Sequence, residues 1–221
     1  MKKLSVALLT VMFALSFGSC SEAELDIPQE KLLKSFELNR DANGAYSIDY
    51  DVADNTSATT LRNVNSKTNE IHLSKGGNDA KPSYKNDFSL ENDLLKVGFF
   101  DDNSGKNASI TIVDENIIFA KGGDSGEFLK DYGVKSNGDG TYQLDFEVNN
   151  GVKTAFEYNK DIETYEVHLS RGNNISEKKF SRTLEMSDSN ELRIDFVNNK
   201  NAGKGTVLEA ERKPRIIIIS D

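Results

Sequence analysis

Apolar and polar residues alternate with a period of two through much of the chain beyond residue 35. Tyr46-Ser47-Ile48-Asp49-Tyr50-Asp51-Val52 puts its apolar side chains on one face and its polar ones on the other, the pattern of a strand with one buried and one wet face. Tyr142–Val148 repeats it, and Phe88-Ser89-Leu90, Leu95–Phe99, Ser109–Val113 and Glu166–Leu169 show it over shorter runs. Asn, Asp and Gly clusters divide these segments. Asp41-Ala42-Asn43-Gly44 and Asn137-Gly138-Asp139-Gly140 read as tight turns, because such residues tolerate positive φ. No stretch beyond residue 35 carries a helical period. The chain is expected to be all-β.

The pattern occurs twice. Sliding the sequence by 96 positions aligns Leu32–Asn78 with Phe128–Asn174 without a gap. Leu33/Leu129, Gly44/Gly140, Tyr46/Tyr142, Asp49/Asp145, Glu70/Glu166, His72/His168 and Leu73/Leu169 are identical pairs. Further on, Leu95-Lys96-Val97-Gly98-Phe99 answers Leu192-Arg193-Ile194-Asp195-Phe196, and Ile117-Ile118-Phe119 is expected to answer Ile216-Ile217-Ile218. Two related units follow, 31–121 and 127–221, joined by the glycine-rich linker 122–126. Each offers about seven short strands, the habit of a β-sandwich. The expected fold is two tandem antiparallel β-sandwich domains related by internal duplication; a single sandwich built from two halves is the alternative.

Leu95–Val113, LKVGFFDDNSGKNASITIV, resembles the last hairpin of bacterial immunoglobulin-like domains. That resemblance implies an immunoglobulin-like fold without the buried Trp and paired Cys of antibody domains, and nothing about ligand.

The N-terminus carries a different message. Lys2 and Lys3 precede the apolar run Leu4–Phe17, which Gly18-Ser19-Cys20 closes. The run is short for a permanent membrane helix and fits a signal peptide, residues 1–19. Phe17-Gly18-Ser19-Cys20 resembles the lipobox of bacterial lipoproteins, with Phe17 in place of the usual leucine, which implies lipidation of Cys20. Cys20 is the one cysteine in 221 residues, so no intramolecular disulfide is available. Residues 20–30 form an acidic tether, in which Ser21-Glu22-Ala23-Glu24-Leu25-Asp26 resembles the surface-export tag of Bacteroidetes lipoproteins. The expected location is the outer membrane, lipid-anchored at Cys20 and exposed on the cell surface.

Formal net charge is -9, and removal of Lys2 and Lys3 deepens it. An acidic balance argues against nucleic acid, which is held through lysine and arginine contacts to phosphate, and against adhesion to anionic lipid.

Catalytic chemistry is poorly supplied. There is no G-x-S-x-G, the sole thiol is committed to lipid, and carboxylates are spread everywhere. His72 and His168 are the only histidines; each sits inside a strand, opposite its flanking aliphatics, and reads as scaffold rather than as a metal ligand. Asp101-Asp102-Asn103-Ser104-Gly105-Lys106-Asn107 spaces oxygen ligands like a calcium loop but lacks the downstream Glu, and reads as a hairpin turn. Tyr46, Tyr50, Tyr142, Phe146, Tyr158 and Tyr165 offer rings for glycan stacking, yet a stripe at period two is expected in the core. No catalytic residue, metal ligand or cofactor is assigned. The functional expectation is a non-catalytic binding or adhesion module with a protein or glycan partner. An accessory subunit of an outer-membrane nutrient importer and a surface hydrolase are the alternatives.

Overall fold

The computed structural model describes residues 30–102, 105–114, 128–173, 175–198 and 211–220. The signal peptide, Cys20, most of the tether and the linker 122–126 lie outside them.

The first half supplies β1 (Leu33–Arg40), β2 (Tyr46–Val52), β3 (Thr56–Asn63), β4 (Thr68–Lys75), β5 (Ser83–Phe88), β6 (Leu94–Asp101) and β7 (Gly105–Val113). The second supplies β8 (Leu129–Ser136), β9 (Thr141–Val148), β10 (Val152–Asn159), β11 (Thr164–Arg171), β12 (Lys179–Glu185), β13 (Glu191–Asn198) and β14 (Glu211–Ser220). The described residues contain no helix. The strands form a six-stranded sheet, ordered β12-β9-β8-β1-β2-β5, and an eight-stranded sheet, ordered β10-β11-β13-β14-β7-β6-β4-β3. The two open sheets pack face to face.

Both orders read the same from either end once each strand is exchanged for its counterpart. The registers agree as well: β1 shifts against β2 between Leu33 and Ser35, and β8 shifts against β9 between Leu129 and Asp131.

The structure departs from the sequence expectation in three ways. The halves do not close as separate sandwiches: β1 pairs with β8 and β7 with β14, so both sheets are shared. An isolated half would leave β1 and β7 as bare edges with unpaired backbone groups, and Ile110, Ile112, Ile216 and Ile218 are fully buried along the β7–β14 seam. Secondly, the sheets are not purely antiparallel. β4 runs parallel to β6, and β11 to β13, because β5 and β12 carry the chain to the other sheet between them. Thirdly, Ile110, not the 117–119 segment, stands where Ile216 does: Ile110 pairs with Val97 as Ile216 pairs with Ile194. Residues 117–119 lie outside the described residues.

The core follows from the alternation. Phe36, Tyr50 and Phe99 pack together, with ring centroids 5.7 and 5.3 Å from Phe99. Tyr132, Phe146 and Phe196 repeat the trio at 5.3 and 5.8 Å. Tyr46, Tyr50, Tyr142 and Phe146 are all buried, the place their period-two spacing indicated.

Candidate functional site

An open, polar groove of about 730 Å³ crosses the outer face of the six-stranded sheet. Its floor follows from register. Asp87 stands opposite Ser47, Ser47 opposite Asn39, Asn39 opposite Gly133, Gly133 opposite Asp145, and Asp145 opposite Ser181. One row of short side chains thus spans all six strands, roughly 24 Å at the usual strand spacing. The neighbours of this row in sequence, among them Leu38, Ile48, Val134 and Leu144, point into the core and are fully buried.

The groove lies where the halves differ. Gly133 aligns with Glu37, and Asn39 with Lys135, at the 96-residue shift. On one side of the β1–β8 seam stand Asn39 and Gly133; the related positions on the other side carry Lys135 and Glu37, two long side chains. The Asn39 side chain lies over Gly133, in the space that a side chain there would take. A Cβ there would come within 2.7 Å of Asn39 Oδ1.

Acceptors dominate the walls. Ser181 Oγ donates to Asp145 Oδ1 at 2.6 Å, and the Gln143 amide donates to both Ser181 Oγ and Asp145. Asp131 faces Glu147 across β8–β9. Burial, then the Glu147 carboxylate, raises the Asp131 pKa above its ordinary value, whereas the Lys130 ammonium, donating at 2.8 Å, lowers that of Glu147. Glu37, Asp41 and Lys85 complete the rim, with Lys179 beside Glu147. No histidine lines the groove.

Beneath it lies a buried polar knot. Arg40 Nε donates to Asp114 Oδ2 at 2.9 Å, and Tyr46 Oη donates to the same oxygen at 2.5 Å. Arg40 and Asp114 are almost fully buried. This pair ties the end of β1 to the residue that follows β7, and so one sheet to the other.

His72 and His168 lie on the outer face of the eight-stranded sheet, opposite the fully buried Ile71, Leu73, Val167 and Leu169. Each ring meets the carboxylate two residues before it, His72 Nε2 to Glu70 Oε2 at 3.2 Å and His168 Nε2 to Glu166 Oε2 at 3.0 Å. The hydrogen bond from Asn63, then the one with His72, lowers the Glu70 pKa.

Asp101 belongs to the scaffold: its Oδ2 accepts from the Leu32 backbone N–H at 3.0 Å, and it pairs with Gly105 across the β6–β7 hairpin. Residues 103–104 of the candidate calcium loop lie outside the described residues. Among the aromatic candidates, Tyr158 is substantially exposed, with its ring centroid 4.7 Å from that of Tyr165 on the edge pair β10–β11.

No family model, curated protein or solved structure matches this chain. The site therefore stands on its own geometry.

Sequence reasoning missed the groove. It is made by cross-strand neighbours up to 94 positions apart, such as Gly133 beside Asn39, with Asn39 in turn beside Ser47. The one signal available was divergence between the copies at Glu37/Gly133 and Asn39/Lys135.

Proposed function

We propose that this chain is a lipid-anchored, surface-exposed bacterial protein that acts as a non-catalytic binding module, taking a glycan chain along the six-stranded sheet. The anchor reading rests on Phe17-Gly18-Ser19-Cys20 and the export reading on the acidic stretch after it. The binding reading rests on one observation: the row Asp87, Ser47, Asn39, Gly133, Asp145 and Ser181, laid across both halves of the molecule. Hydroxyl, amide and carboxylate groups on short side chains match a ligand rich in hydroxyl donors, and a trough about 24 Å long suits several sugar units. The acidic rim favours neutral or amine-bearing sugars over uronic or sulfated ones. The immunoglobulin-like hairpin and the origin of the halves by duplication belong to the same reading, as the source of a symmetric scaffold whose copies diverged at the groove.

Affinity electrophoresis through gels holding neutral, amino or acidic polysaccharides tests it. The chain should be retarded by a neutral or amino polymer, and Gly133→Tyr and Asn39→Ala should abolish the retardation. Retardation by acidic polymers alone, or retardation indifferent to both substitutions, would refute it.

A further inference from the structure

A second asymmetry lies on the opposite sheet. Both halves carry the same three-residue set. Asn63 Nδ2 donates to Glu70 Oε1 at 2.7 Å, and the other Glu70 oxygen meets His72. Asn159 Nδ2 donates to Glu166 Oε1 at 3.0 Å, and the other Glu166 oxygen meets His168. The second half adds a third ligand-type side chain. Glu157 stands directly opposite Glu166 on β10, and its Oε1 lies 2.8 Å from His168 Nε2. The first half has Leu61 at that place, opposite Glu70. One atom each of Glu157, Glu166 and His168 therefore falls within 4.8 Å of the other two.

We propose that Glu157, Glu166 and His168 bind one divalent transition-metal ion of the zinc type, at a site that exists in the second half alone. Both carboxylates converge on the same imidazole nitrogen, so a cation placed among them would meet all three donors without a change of strand register. Asn159 occupies the far oxygen of Glu166 and aims the near one, as outer partners of metal ligands do. One imidazole and two carboxylates match the charge of a divalent ion and leave positions for water. The nitrogen donor favours zinc and its neighbours over calcium, which takes oxygen ligands. His72 shares the Asn–Glu orientation but has one carboxylate, and its ring lies flat against Phe100, centroids 5.2 Å apart. His168 pairs instead with Val197.

Calorimetric titration of the metal-free chain with zinc chloride tests the site. The expected result is one zinc per chain for the wild type and for His72→Ala. Glu157→Leu, which installs the residue of the first half on an exposed side chain, should weaken binding at least about tenfold, and His168→Ala should abolish it. Circular dichroism of each variant separates lost binding from lost fold, and Glu157→Leu carries the test should His168→Ala fail to fold. A wild type that takes up no stoichiometric zinc would overturn the proposal. Uptake unchanged in both Glu157→Leu and His168→Ala would overturn it equally.

Discussion

Tyr132 Oη donates a hydrogen bond to Tyr46 Oη at 3.1 Å, joining the two halves of the chain through residues 86 positions apart. Tyr46 in turn donates to Asp114, which also holds the guanidinium of Arg40. Removal of the Asp114 carboxylate takes an ion-pair partner from the buried Arg40 and the acceptor from the buried Tyr46 hydroxyl. Asp114→Ala should therefore lower unfolding stability by about 3–5 kcal/mol. Tyr132→Phe deletes one neutral hydrogen bond and should cost only about 1 kcal/mol. Urea denaturation of both variants checks the order; equal losses would show that the knot does not depend on its charged pair.

The same phenols predict sensitivity to alkali. Burial, ahead of the neighbouring Tyr132 and Asp114, holds Tyr46 well above the ordinary phenol value of 10.0. Burial likewise raises Tyr132 and pushes Tyr50 up to about 12. A raised folded pKa means that the folded chain keeps these protons more tightly than the unfolded one. The stabilisation is complete below pH 10.0 and is lost as pH rises above it toward the folded values. The denaturation midpoint should hold steady up to about pH 10 and fall between about pH 10 and about pH 12, and Tyr46→Phe should flatten that fall. A midpoint independent of pH in this window would contradict the reading.

Shared sheets predict shared unfolding. A cut within 122–126 should leave the halves associated, held by the β1–β8 and β7–β14 pairings. Size-exclusion chromatography of the nicked chain should show one species. Thermal unfolding of the intact chain should show one transition. Two folded fragments that separate without denaturant would restore the two-domain arrangement.

Lipidation predicts a different partition. Cys20→Ala should leave an unacylated precursor that does not stay in the membrane fraction, followed by labelling with an alkyne fatty acid. Label retained by the Cys20→Ala chain would remove the anchor from the account.

The strands and their inward residues were legible because burial on one face leaves a period of two in the sequence. Tyr46, Ile48, Tyr50 and Val52 are all in the core for that reason. Pairing between strands leaves no such local trace. Nothing near β1 announces β8 as its neighbour, so the merger of the halves was open to reading only as an alternative. Asp114 was one acidic residue among 36 until Arg40 and Tyr46 closed on it. The alternation correctly set His72 and His168 opposite the aliphatics, but the carboxylate of Glu157 reaches His168 through the β10–β11 register. Gly133 was visible as a departure from Glu37. Its meaning required Asn39 beside it.

The most direct test of the central claim is hydrogen exchange with and without the polysaccharide that retards the chain in gels. Binding along the groove predicts slowed exchange in β1, β8 and β9, centred on Asn39, Gly133 and Asp145, with the eight-stranded sheet unchanged. Protection confined to the eight-stranded sheet or the connecting loops, with none in β1 and β8, would contradict it.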